Sequence, residues 1–361
     1  MQTDYLQRRL TKLRDRLRKS KLDALLVTDA ANVRYMSGFT GDDSWLVVAA
    51  DRAALLTDSR YTEQAEGECR HCEVVGRRAS LRDACTGYLK AHKLQTAGFE
   101  ADSLAYGEWL GLKDGPVRWQ PTTAMVEKLR LIKDASEIKK IRQAAVVAEK
   151  CFERISGWIK PGMTEAQVAG EIEYILRRLG ADGSSFETIV LFGERTSLPH
   201  GRPGERALQP GEAVLIDWGA RLCLYNSDLT RMLLPSTISA KLERIYRAVL
   251  EAQQAAIDAA RPGMTAHELD AVARDRLKKA RLATRFGHGL GHGLGMEIHE
   301  GPTVKRGGDT RLRPGMVFTI EPGAYMPGWG GVRIEDMVQL TRTGRRVLTS
   351  LPKDLEDVCV L

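Results

Sequence analysis

Three of the chain's seven histidines, His288, His292 and His299, fall within residues 286–302, FGHGLGHGLGMEIHEGP. Glycines at 287, 289, 291, 293 and 295 separate them. That composition makes a poor helix and a poor strand interior, but it lets backbone pass close to another group. Imidazole is the commonest neutral-pH metal ligand and proton shuttle. The plain alternative is a glycine-rich loop carrying surface histidines.

Four acids elsewhere favour chemistry. Asp217 and Glu321 each end an otherwise apolar strand pattern, AVLID and VFTIE. Asp228, in RLCLYNSDLTRMLL, and Glu335, in VRIEDMVQL, sit on the segments that run back from them. Converging without cations, these carboxylates would repel one another and be forced to neutralise. Four carboxylates and one imidazole, two of the carboxylates bridging, make a ligand set for two divalent ions roughly 3.5–4 Å apart. Oxygen-rich ligation leans towards Mn, with Co or Zn able to occupy the same site. The competing reading is a set of strand-end carboxylates in ion pairs with Arg221, Arg231 and Arg333.

The elements that must position these residues form a repeat. KPGMTEAQ at 160–167 recurs as RPGMTAHE at 261–268, each with Thr as N-cap and Gln167 or Glu268 closing a capping box. LQPGEAVLID at 208–217 recurs as LRPGMVFTIE at 312–321. A histidine lies upstream of each, His200 in LPHGRP and His299 in EIHEGP. Helix, histidine, turn, strand and acid thus occur twice, which points to two similar halves facing a shared cleft. Pro327, Gly328, Gly330 and Gly331 supply the turn of a hairpin between Glu321 and Glu335.

Upstream, residues 4–20 read as an amphipathic helix with Leu6, Leu10, Leu13 and Leu17 on one face. Residues 22–28, 44–50, 53–58 and 97–101 read as buried strands, with a helix from about Arg60. This mixed α/β region ends near Thr123. A capping box at Asp134 and Glu137, with Ile138, Ile141 and Ala145 as its stripe, then opens a long helix. The expected division is 1–125 and 126–361.

The bulk numbers fit two domains: 361 residues, 43% hydrophobic and 28% charged. The net charge of +7 is dispersed, and with aromatic residues at 6% no basic stripe interleaved with aromatics appears, so nucleic acid is not an expected partner. The opening MQTDYLQRRL has no apolar core of a leader, and no apolar run reaches about 18 residues, so neither secretion nor a membrane span is expected. Six scattered cysteines suggest reduced thiols in a cytoplasm. Cys69 and Cys72 have CxxC spacing, but no second ligand pair lies nearby.

These motifs, in this order, resemble the pita-bread metallopeptidases: aminopeptidase P, prolidase and, more distantly, methionine aminopeptidase. YMSGFTG and LLTDSRY are similar to that family's creatinase-type N-terminal domain, and LRLIKDASEIKKIRQA to its linker helix. LPHGRP, LIDWGARLCLYNSDLTR, GHGLGHGLGMEIHEGP, FTIEPG and GGVRIED resemble its active-site segments. The resemblance implies an α/β (α+β) fold, a creatinase-like domain followed by a pita-bread domain with an internal pseudo-two-fold repeat. It implies Asp217 on one metal, Asp228 and Glu335 bridging, and His292 with Glu321 on the other. It makes His299 the stabiliser of the tetrahedral intermediate, Glu321 the proton shuttle and His200 with His288 substrate contacts. Arg333 would orient a neighbouring carboxylate. Trp218, after the first acid, and Met232, after the Thr-Arg pair, depart from the commoner pattern without removing a ligand. A homodimer through the N-terminal domain is also implied.

The substrates expected are peptides with proline second. A Xaa-Pro aminopeptidase is placed ahead of a prolidase, which does the same chemistry on dipeptides alone. What separates them is a group that closes the cleft and pairs with proline's free carboxylate, and the sequence does not locate one. Methionine aminopeptidase does not need this N-terminal domain. A metal-free creatinase-like hydrolase should lack several of the acids, and all are present.

Overall fold

The computed structural model describes residues 5–359. The chain divides into two compact units between Arg130 and Leu131.

The first unit is a sheet dressed with helices. Its strands are β1 (Ala24–Val27), β2 (Trp45–Ala49), β3 (Ala53–Thr57), β4 (Glu73–Gly76), β5 (Thr96–Glu100) and β6 (Arg118–Thr122). Its helices are α1 (Tyr5–Lys19), α2 (Ala30–Ser37), α3 (Thr62–Glu68), α4 (Leu81–Ala91), α5 (Tyr106–Lys113) and the single turn α6 (Glu127–Arg130). The strand order is β4-β3-β2-β1-β5-β6. β1, β2, β3 and β5 are buried along their whole length, and the first three read as near-continuous apolar runs. The edge strands β4 and β6 are half-exposed and carry Glu73, Arg118 and Gln120, which hides them from a hydrophobicity pattern. α2 is likewise without a sequence signal of its own; the Asp29 side chain caps it, accepting from Asn32 N, and Gly38 closes it at φ +82°. α1 buries Leu10, Leu13 and Leu17 as expected, while residue 4 lies outside the described residues.

The second unit builds the same layer twice. Its helices are α7 (Ala135–Ser156), α8 (Glu165–Arg178), α9 (Ala240–Ala259), α10 (Ala266–Lys279) and the short α11 (Leu355–Val358). Its first-half strands are β7 (Gly183–Ser184), β8 (Ile189–Phe192), β9 (Val214–Trp218), β10 (Ala220–Leu222), β11 (Tyr225–Asn226) and β12 (Leu229–Leu233). Those of the second half are β13 (Gly291–Gly293), β14 (Glu300–Val304), β15 (Val317–Ile320), β16 (Gly323–Met326), β17 (Gly330–Arg333), β18 (Asp336–Leu340) and β19 (Arg345–Val347). In the first half α7 and α8 pack on the sheet β12-β9-β8. In the second, α9 and α10 pack on β14-β13-β15-β18-β19.

The repeat is exact down to single hydrogen bonds at the helix entrances. Thr164–Gln167 and Thr265–Glu268 both form complete capping boxes. Gly162 N donates to Leu208 O at 2.9 Å, and Gly263 N to Leu312 O at 2.8 Å. Thr164 bridges Ala207 and Thr265 bridges Arg311. The proline-glycine turns that precede the two acid-bearing strands are therefore docked on the two helix starts in the same way. The expected capping box at Asp134 and Glu137 also forms, with Ile141 and Ala145 buried beneath α7.

Three local expectations need correction. The glycine-rich stretch does enter a sheet: Gly291–Gly293 is β13, held between β14 and β15. A Cβ at Gly291 would lie 2.0 Å from Thr319 O, and one at Gly293 2.0 Å from Gly301 O. Only glycine admits backbone that close, so the composition that weakens a strand is what allows this one. The two return segments are also not single strands. β16 and β17 form the expected hairpin, but the chain then leaves it to pair β18 with β15. In the first half the chain leaves the β10–β11 hairpin to pair β12 with β9. Asp228 and Glu335 both sit at these changes of sheet.

Arg231 on β12 ties the two halves together. Its guanidinium pairs with Asp336 at 2.8 Å and donates to Leu351 O and Pro352 O. Asp336 also accepts from Thr349 and Gln253 and pairs with Lys353. Burial alone would raise the Asp336 carboxyl; Arg231 and Lys353 outweigh it and hold it at about 2. Asp336→Asn strands the buried guanidinium, at a cost of about 3–5 kcal/mol. Urea unfolding of the variant against the parent should show that loss of stability.

Candidate metal centre and active site

Each acid-bearing strand delivers its carboxylate by strand alternation. On β9, Asp217 faces the cleft while Trp218 turns away, stacks on Phe152 at 4.9 Å and donates its indole N–H to Ala148 O. The unusual tryptophan is thus part of the core behind the strand, whereas the buried Met232, opposite Leu215, packs on the other face in the core of the second half. On β15, Thr319 and the following Glu321 lie on one face, two residues apart. All nine residues singled out from the sequence line one cavity of about 540 Å³: His200, Asp217, Asp228, His288, His292, His299, Glu321, Arg333 and Glu335.

At its floor, Asp228, His292 and Glu335 offer ligand atoms that all lie within 4.8 Å of one another. His292 Nδ1 faces Gly293 O at 3.1 Å, which leaves Nε2 towards Asp228 at 3.4 Å and Glu321 at 3.5 Å. Asp217 and Glu321 flank this trio in the same cavity. Asp217 is held by Arg333 through a 2.6 Å ion pair, so one arm of the ion-pair alternative is present. Arg231 instead takes Asp336.

The electrostatics are those of too much negative charge in too little water. Burial, then the charge of Asp217, lifts the Asp228 carboxyl to about 6. Burial lifts Glu321 to about 7. Burial together with Asp228, Glu321 and Asp217 raises Glu335 well above the usual range. Burial opposes charge on His292, but Asp228 and Glu321 outweigh it and raise the imidazole to about 9. Asp217 Oδ1 and Glu335 Oε1 are buried without a hydrogen-bond partner. Buried oxygens left bare beside a histidine fit divalent-cation ligation, which replaces the protons this crowding otherwise demands.

The remaining histidines are placed differently. The His299 ring meets His292 edge-on at 4.3 Å; burial, then the charges of His292 and His200, lowers its pKa, so it is neutral at pH 7. Both nitrogens of His288 are engaged, Nδ1 with Gly289 O at 2.8 Å and Nε2 with Tyr325 Oη at 2.9 Å. Burial, then Arg333, lowers it to about 4. His200 lines the wall.

Supporting residues that the sequence reading missed lie one layer out. Thr230, directly opposite Asp217 in the β9–β12 pairing, donates to Glu335 Oε2 at 2.7 Å and accepts from Arg333 Nε at 3.1 Å. Thr319 donates to Glu321 Oε1 and accepts from His292 N, both at 3.1 Å. Tyr325 accepts from Arg333 and meets His288. Two buried acids, each paired with a partly exposed arginine, hold the histidine-bearing loops. Asp270 accepts from Leu290 N, and its partner Arg274 donates to the carbonyls of Phe286 and His288. Glu165 accepts from Phe192 N and Gly204 N, and its partner Arg195 donates to Arg202 O. Thr319 had a legible signal, since it lies two residues before Glu321; Thr230 had none, because its partners Glu335 and Arg333 are about a hundred residues away. The acid–arginine pairs had none, because their partners are backbone atoms.

A family model described as Metallopeptidase family M24 matches residues 139–342, and one described as Creatinase/Prolidase N-terminal domain matches residues 9–132. The chain belongs to metallopeptidase family M24. It is a metallopeptidase with the pita-bread fold behind a creatinase-type N-terminal domain, as its motifs implied. It is similar to an Xaa-Pro dipeptidase from Bacillus anthracis, 40% identical over 97% of this chain and 99% of that one, with a TM-score of 0.95. An X-Pro aminopeptidase from Thermotoga maritima is 35% identical over 94% of this chain and 99% of that one, at a TM-score of 0.89. A curated Xaa-Pro dipeptidase from Pyrococcus horikoshii is 35% identical over 98% of this chain and 99% of its own length. Among the described residues of this M24 peptidase, no helix is long and apolar enough to cross a membrane.

Thr230 gives the sharpest test of the supporting layer. Thr230→Val removes the hydroxyl that joins Glu335 to Arg333 while keeping the side chain's shape. Divalent-ion affinity should fall about 10–100-fold, measured by titration calorimetry, with an unchanged circular dichroism spectrum.

Proposed function

We propose that this chain is an Xaa-Pro dipeptidase, hydrolysing the bond between an N-terminal residue and a following, carboxyl-terminal proline. This reverses the order in which the sequence alone placed the two readings. What carries it is full-length likeness: the Bacillus anthracis dipeptidase shares 40% of residues across both chains, and the Pyrococcus horikoshii dipeptidase 35%. The aminopeptidase reading stays in play through the Thermotoga maritima protein at 35%.

In this reading Asp217, Asp228, Glu335, His292 and Glu321 would hold two divalent ions, Mn by preference, with Asp228 and Glu335 the carboxylates that would serve both. When bound, the ions would supply Lewis acidity and lower the pKa of water at the site. The protein's own groups do the rest. Arg333 clamps Asp217 in place, and Thr230 orients Glu335. Neutral His299 donates a hydrogen bond to the oxyanion that develops on the scissile carbonyl. Glu321, whose carboxylate lies beside the His292 imidazole in the cavity, can take up a proton from the attacking water and hand it to the departing proline nitrogen. That nitrogen belongs to a tertiary amide with no N–H, so protonation is what makes it a leaving group. His200 is placed to contact substrate from the wall; His288, with both nitrogens engaged, shapes the cavity through Tyr325.

Full-length protein loaded with Mn should cleave Xaa-Pro dipeptides at least about tenfold faster than Xaa-Pro-Yaa tripeptides, the discrimination a single lost polar contact supplies. Equal or faster tripeptide cleavage restores the aminopeptidase reading, and no cleavage of either removes both. Asp228→Asn should lose bound metal by elemental analysis and all measurable turnover, with the fold retained. Near-parental activity in that variant would falsify the ligand assignment.

A further inference from the structure

We propose that Lys133 is a positioning residue for His299: its buried ion pair with Glu300, the next residue along, holds the imidazole where the oxyanion develops. The inference rests on the role given to His299 above and adds what keeps that ring in place.

His299 needs support from outside its own ring. It is exposed and ends the stretch 294–299, which is neither helix nor strand. The ring meets His292 edge-on, and among the described residues no hydrogen bond ties either of its nitrogens. A donor to a developing oxyanion must stand within hydrogen-bond distance of it, and a shift of about 1 Å forfeits much of the effect. The backbone on either side of His299 therefore has to carry its placement.

Both sides are anchored. Upstream, Leu294 is buried with Ile141 and Ala145 of α7. Asn226 N donates to Gly295 O at 2.8 Å, and Asn226 Nδ2 to Met296 O at 3.0 Å. Downstream, Glu300 opens β14 and pairs with Gly293 across a bulge. Its carboxylate folds back over the loop: a Cβ at Gly295 would lie 2.5 Å from Glu300 Oε1. Lys133 Nζ meets that same oxygen at 2.7 Å, with the lysine side chain fully buried and that of Glu300 7% exposed. Lys133 is itself held, since its N donates to Gly315 O at 2.9 Å and Asp134, the next residue, caps α7. The ammonium thus reaches Glu300 from a fixed frame.

A buried ion pair adds little stability over apolar side chains of the same size, whereas removing one partner strands the other. What this pair supplies is direction. It fixes the Glu300 carboxylate at one point, and Glu300 is the immediate neighbour of His299. Neither Lys133 nor Glu300 lines the cavity, while Ile298 and His299 do. Loss of the pair should therefore reach the chemistry through His299 and leave metal and substrate binding alone.

The test is a double-mutant cycle on the metal-loaded full chain, with whichever Xaa-Pro substrate the parent cleaves. Lys133→Met should lower kcat about 10–100-fold, with KM and the metal content by elemental analysis close to parental. Lys133→Met combined with Glu300→Gln removes the stranded charge, so it should fold like the parent by circular dichroism and keep the same kcat defect. In a His299→Ala background, Lys133→Met should change kcat by less than about twofold. Parental kcat in the folded Lys133/Glu300 double variant overturns the inference, as does an equal loss with and without His299, or a loss of metal. Those outcomes leave the dipeptidase reading standing. If His299→Ala alone leaves kcat unchanged, the role given to His299 falls and this inference with it.

Discussion

The constraint that organises this protein is the repulsion among carboxylates gathered where water is scarce. Asp217, Asp228, Glu321 and Glu335 crowd one cavity, and two of their oxygens have no hydrogen-bond partner. Such an arrangement is costly in a bare protein, and removing a partner from it leaves buried charge exposed to its like. The surrounding layer answers that cost with directed contacts. Arg333 neutralises Asp217, Thr230 bridges Arg333 to Glu335, and Thr319 ties Glu321 to the backbone of His292. In the proposed reading, bound cations would complete that balance and make the cavity a hydrolytic centre.

Duplication explains how one chain meets this demand. Two copies of a helix-pair-and-sheet layer each end an apolar strand on an acid, and each carries a second acid at a change of sheet. The copies are not perfect. Glu335 falls opposite Glu321 in the extended register of β15 and β18, whereas Thr230, not Asp228, is opposite Asp217. That offset gives the first half a threonine where the second has a carboxylate, and this threonine is the one that steadies Glu335. The broken symmetry supplies both a cavity carboxylate and its hydrogen-bond support from the same pair of positions.

The two acid–arginine pairs do comparable work for the walls. Asp270–Arg274 and Glu165–Arg195 satisfy backbone groups of the loops that present His288 and His200. Loops that carry functional groups tend to be mobile unless their polar backbone is paired. Here the buried carboxylates Asp270 on α10 and Glu165 on α8, each backed by an arginine, satisfy that backbone.

By itself the sequence determined much of this. The apolar runs of the central strands, the capping boxes, the internal repeat and all nine cavity residues were legible, because each depends on local propensity or on spacing within a segment. The edge strands β4 and β6 and helix α2 were not, since their partners and caps, more than their own hydrophobicity, define them. Only the tertiary structure decided that the glycine-rich stretch is a strand, because its close approach is to backbone on both sides, Gly301 on β14 and Thr319 on β15, that only the assembled sheet brings together. It alone showed that the return segments break and that Thr230 belongs to the site. Hydrogen bonds and strand register across about a hundred residues are set when the two halves pack, and no local pattern encodes them.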